Sequence, residues 1–128
     1  MIMQTITYTD YNGNERKENF FFNLSKAELM EMEASKKGGL SNYIQSIIEA
    51  QDVTQLMGLF KELIIKSYGV KSPDGKRFIK NQEVVDEFIQ SEAYSELYVM
   101  LATDEQKATA FVNGIIPQSI SDHLQDER

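Results

Sequence analysis

Over the first 22 residues, apolar side chains fall in the pattern of two pleated strands joined by a turn. Met1 to Thr9 is rich in Ile, Thr and Tyr, residue types that suit a half-buried sheet surface. Asp10-Tyr11-Asn12-Gly13-Asn14 supplies turn chemistry, because Asn and Gly tolerate positive φ, and Glu15 to Phe22 reads as the return strand. Pairing Ile2 opposite Phe22 and Gln4 opposite Phe20 gathers Ile2, Ile6, Tyr8, Phe20 and Phe22 on one face. A tight Asn-Gly turn would instead shift that register by one residue and turn the whole set over.

From Ser25 the period becomes helical. Ser25-Lys26-Ala27-Glu28 has the S-x-x-E form of a capping box, in which hydroxyl and carboxylate satisfy each other's free amides, and Gly38-Gly39 marks the stop. A second helix is predicted from about Ser41 to Ala50. Asp52-Val53-Thr54-Gln55 repeats the capping pattern, and a third helix runs to Tyr68 with Gly69 as its stop. Val53, Leu56, Met57, Leu59, Phe60, Leu63, Ile64 and Ile65 cover more than half its circumference, the mark of the most buried helix of a domain. Asn81 can cap a helix carrying Val84, Val85, Phe88 and Ile89, and the phase slips at Ser91. Tyr94, Leu97, Tyr98 and Leu101 form the next face, and Ala108, Phe111, Val112 and Ile115 another, entered through a box at Thr103-Asp104-Glu105-Gln106 and ended by Pro117.

The predicted fold is α+β and predominantly helical: an N-terminal hairpin over 1–22, then a compact bundle of about five to six helices within 25–117. Residues 1–117 form one domain, and 118–128 a polar tail. A chain of 128 residues, 41% hydrophobic, builds one core without a metal or disulfide staple. The absence of cysteine removes disulfides, thiolate sites and cysteine nucleophiles together. A net charge of −7 repels a phosphate backbone, so nucleic acid is not an expected partner. No apolar run approaches the ~20 residues of a bilayer span, and the N-terminus lacks a signal-peptide pattern, so a soluble intracellular protein is expected.

Candidate chemistry is sparse. Tyr68 to Lys80, Y-G-V-K-S-P-D-G-K-R-F-I-K, concentrates basic residues and two glycines. A phosphate loop, however, needs G-x-x-x-x-G-K-[ST] between strand and helix. Here the glycines are one residue too far apart, Arg77 stands where Ser or Thr belongs, and a helix precedes the stretch. It reads as a Ser-Pro-Asp-Gly turn, with Phe78 and Ile79 dipping into the core and Lys76, Arg77 and Lys80 solvated. The segment from Asp10 lacks the Gly and Glu positions of a calcium loop. His123, the single histidine, lies in the polar tail without an orienting partner. Glu28, Glu31, Glu33, Glu83, Asp86 and Glu87 read as first-turn or outward-facing carboxylates. No catalytic, cofactor-binding or metal-ligating set emerges, so no enzyme is expected.

Read together, Tyr68-Gly69, Asp74-Gly75, Phe78, Lys80, Glu92-Ala93-Tyr94, Leu97, Phe111, Asn113-Gly114 and Pro117 resemble, in order and spacing, the tail assembly chaperones of long-tailed bacteriophages. The resemblance implies a non-enzymatic protein in the host cytoplasm during phage assembly and absent from the mature virion. It would bind the tape measure protein, keep it soluble and help the tail tube protein assemble around it. It further implies a longer form made by frameshifting in some members, and self-association is a further candidate. Tyr68, Phe78, Tyr94 and Phe111 are the candidate partner contacts, each with core packing as the competing role. A small regulator that binds another protein, and a small hydrolase with a hidden carboxylate pair, are the other classes the sequence leaves open.

Overall fold

The computed structural model describes residues 1–36 and 38–115. Pro117, the polar tail and His123 lie outside them. In chain order the elements are β1 (Ile2–Thr9), β2 (Glu15–Phe22), α1 (Lys26–Ser35), α2 (Leu40–Ala50), α3 (Val53–Ser67), β3 (Tyr68–Lys71), β4 (Phe78–Ile79), α4 (Gln82–Ile89), α5 (Glu92–Thr103) and α6 (Glu105–Ile115). The hairpin takes the register with Ile2 opposite Phe22 and Gln4 opposite Phe20. Its loop is not a two-residue turn. Asp10 accepts from the amides of Asn12 and Asn14 and pairs with Arg16 at 2.6 Å, while Gly13 supplies a φ of 84°. Ile6 and Phe22 are buried, and Ile2, Tyr8 and Phe20 pack beside them.

The hairpin does not stand alone, as the sequence suggested, but is half of a four-stranded antiparallel sheet in the order β1-β2-β3-β4. Gly69 is therefore not a helix stop. The chain leaves α3 at Ser67 directly into extended backbone, and Gly69 pairs with Phe21 as a strand residue. Its lack of a side chain matters on the opposite side of β3 from Tyr68. A Cβ there would lie 2.6 Å from Cε2 of the Phe78 ring and 3.0 Å from the Ile79 carbonyl. The β3–β4 connection is the expected turn: Gly75 N–H donates to the Ser72 carbonyl, and the buried Ser72 hydroxyl donates to Asp74 and accepts from Arg77 N–H. Lys76 and Arg77 are solvated, but Phe78 and Ile79 are only half-buried, not core.

Lys80 is the clearest departure. Instead of pointing to water, its Nζ donates to the carbonyls of Asn23 (2.7 Å) and Lys66 (2.8 Å) and to both carboxylate oxygens of Glu28 (2.7 and 2.9 Å). One cation thus ties the end of β2, the start of α1 and the end of α3. Glu28 completes the predicted capping box with Ser25 at the same time. Glu33 is also engaged, accepting from the Leu40 amide at the start of α2.

The helices pack on the sheet as well as on one another. α3, α4 and α6 pack on α5, which itself lies on β1, giving a helical layer over one face of the sheet. Asn81 caps α4 through Val84 N–H, and Asp52 caps α3 through Gln55 N–H, as their spacing predicts. The α6 cap is Asp104, one residue later than the predicted box, accepting from Lys107 N–H. Thr103 instead donates back to the Val99 carbonyl inside α5. Ser91 is the N-cap residue of α5, but its hydroxyl donates back to the Phe88 carbonyl of α4 and makes no cap hydrogen bond.

Candidate partner-binding groove

Two helices that share a neighbour without closing on each other leave a trough, and α3 and α6 do this on α5. The trough, about 540 Å³, begins where Gln51, in the left-handed region at φ 54°, turns the chain from α2 into α3. From α3 it takes Val53, Leu56, Leu59, Phe60 and Leu63, from the end of α5 Leu101, and from α6 Ala108 and Val112. The α6 contributions recur at helical spacing through Glu105, Ala108, Thr109, Val112 and Asn113, so one face of that helix forms a wall. Leu59, Phe60, Leu63, Leu101 and Ala108 are buried and form the floor. Leu56 and Val112 are half-buried, and Val53 is 66% exposed.

This is where the wide stripe on α3 fails to be fully buried. Its second half enters the core through Leu63 and Ile64, whereas Val53 and Met57 near its start remain in solvent. The rim carries Asp52 and Glu105 with uncharged polar groups, and no Lys or Arg lines the trough. An apolar floor with an acidic edge suits an amphipathic helix whose stripe is flanked by cations. The Thr103 and Thr109 hydroxyls of the trough donate to the carbonyls of Val99 and Glu105 in their own helices.

A second cavity, about 530 Å³, lies over Lys80 and is lined also by Glu28, Glu31, Met32 and Val85. Burial alone would raise the Glu28 pKa, but the Lys80 ammonium and the Ser25 amide outweigh it and hold the carboxyl below its ordinary value. A general acid of a hydrolase needs the opposite shift. Among the described residues no group of three or more His, Cys, Asp or Glu could hold a metal ion.

The four aromatic candidates lie elsewhere. Tyr68 stacks on Phe88 at 4.3 Å, Tyr94 meets the same ring edge-on at 5.9 Å, and Phe111 stands edge-on to Phe22 at 5.2 Å. Phe22 and Phe88 are themselves in contact, so three of the four belong to one aromatic cluster beneath the sheet. Phe111 is 2% exposed, while Tyr68 and Tyr94 are half-buried, and burial raises both phenol pKa values. Phe78 is apart from them, across Gly69. None of the four lines the groove. The groove residues were visible in the sequence only as core, and the sign that they were something else was an apolar stripe on α3 wider than one contact can cover.

A four-stranded antiparallel sheet with one helical layer and an open apolar trough makes this a small α+β protein. A family model for phage tail assembly chaperones matches residues 1–128, and the chain belongs to that family. Neither a curated protein nor a solved structure matches it. Among the described residues no helix is long and apolar enough to cross a membrane.

Proposed function

We propose that this tail assembly chaperone binds the tape measure protein, keeps it soluble and assists assembly of the tail tube protein around it, in the cytoplasm of the host. The observation that carries the reading is the α3–α6 groove, with an apolar floor and Asp52 and Glu105 at its edge. A long helical client exposes an apolar stripe that self-associates unless covered. The groove covers a short stretch of such a stripe, and the acidic edge selects stretches flanked by Lys or Arg. The net charge of −7 adds repulsion between loaded complexes. Each groove is short relative to a tape measure chain, so several copies bind one client.

Co-expression tests this directly. With the chaperone present, the tape measure protein moves from pellet to supernatant and the two co-purify. A Val53→Asp, Val112→Asp double variant, altered at positions that are exposed or half-buried, keeps its helical circular dichroism but leaves the client in the pellet. A client equally insoluble with and without the wild-type chaperone overturns the function. Full rescue by the folded double variant overturns the groove as its site.

A further inference from the structure

The edge of the sheet formed by β1 has no charge, no proline and no glycine in its eight residues, I-M-Q-T-I-T-Y-T. Edges of that length are normally blunted by Lys, Pro or a bulge, because their free amides and carbonyls template another strand. The hairpin fixes which groups are free. Asp10 N–H donates to the Asn14 carbonyl, so by antiparallel alternation Tyr8, Ile6, Gln4 and Ile2 exchange bonds with β2. The backbone groups of Met3, Thr5, Thr7 and Thr9 therefore point to the open edge. All four residues are exposed, Met3 by 52%, and among the described residues no backbone partner lies across that edge.

We infer that β1 pairs antiparallel with β1 of a second copy, joining two four-stranded sheets into one. The strand is self-complementary about Ile6: Thr5 falls opposite Thr7 of the other copy, and Met3 opposite Thr9, so each free edge group meets another free edge group. Cross-strand threonine pairs are favourable in themselves. Charge also selects a second copy as the occupant. The rest of the acidic chain repels its like, while this neutral strand meets an identical strand without any like charges opposed. The pairing closes by two-fold symmetry and leaves no further β1 edge to propagate. It also puts two grooves on one particle, which raises avidity along a long client. The pairing depends on the sheet alone and is independent of the client.

Light scattering on the full chain tests it. The wild type has twice the 14.7 kDa chain mass and dissociates on dilution. Thr5→Lys, Thr7→Lys places like charges opposite each other and gives the single-chain mass with unchanged circular dichroism. Amide exchange provides a readout free of any variant: the Met3, Thr5, Thr7 and Thr9 amides are protected at high concentration and lose protection on dilution, whereas those of Ile2, Gln4, Ile6 and Tyr8 do not. A wild type of single-chain mass at every concentration overturns the inference. So does a dimer whose edge amides exchange freely, or one that survives in the folded double-lysine variant. The Val53→Asp, Val112→Asp variant dimerises like wild type, which separates this result from failure of the groove.

Discussion

Four acceptor atoms converge on the Lys80 ammonium, two of them main-chain carbonyls at the ends of β2 and α3. A methionine fills much of the same space but leaves Glu28 without its cation and the carbonyls of Asn23 and Lys66 without this donor. Lys80→Met therefore costs about 1.5–3 kcal/mol, as hydrogen bonds to charged groups do. The low end is favoured because the Glu28 side chain is 38% exposed. Urea unfolding at neutral pH measures it. The pH dependence follows from sign: Glu28 is depressed in the folded chain, as are Asp10, through its Arg16 hydrogen bond, and Asp74, through Ser72. Their contributions are complete above the unfolded carboxyl values of about 4 and vanish as pH falls through the folded values. Stability thus drops on acidification from about pH 5 downward. Glu28→Gln shows a smaller drop over that window, checked by urea midpoints at neutral and acid pH. A variant that matches the wild-type slope would show that Glu28 titrates as it does in the unfolded chain.

At the scale of elements, α3 has two jobs along one stripe. Its middle supplies Phe60, 9% exposed, to both the floor of the groove and the core. Phe60→Ala removes a ring from that floor and costs about 3–5 kcal/mol, read from thermal or urea unfolding. An unchanged melting curve would mean the ring contributes no packing. The elements with strong local signals are legible in the chain's own pattern: the capping residues Ser25, Asp52 and Asn81, the hairpin register, and the helical faces around Leu97, Phe111 and Ile115. What is not legible depends on distant partners. Tyr68-Gly69 looks like the end and stop of a helix, and only the waiting edge of β2 makes the segment a strand. Lys80 looks solvated because its acceptors lie up to 57 residues away. The groove is hidden for the same reason. Periodicity marks Leu56 and Val112 as apolar but cannot say that α3 and α6 stay apart.

For the whole molecule, chain order sets a timetable. The hairpin is local and its residues leave the ribosome first, yet β2 gains its second neighbour only when Tyr68 and Gly69 are made. Phe22 then waits longer still for Phe111, which closes its aromatic surroundings. At ~5–20 residues per second, the interval between Phe22 and Tyr68 is roughly 2–9 s. During that time the run Phe20-Phe21-Phe22 has one open edge and an uncovered ring face on every emerging chain. Neighbouring ribosomes on one message hold such chains close together. A member of a chaperone family therefore passes through a stage in which it needs shielding itself. Nascent fragments stopped before Tyr68 should pellet on release, and fragments extending past Ile115 should not. Sedimentation of puromycin-released chains measures this, and equal solubility of the two sets would show that the early strands are covered without β3 or α6.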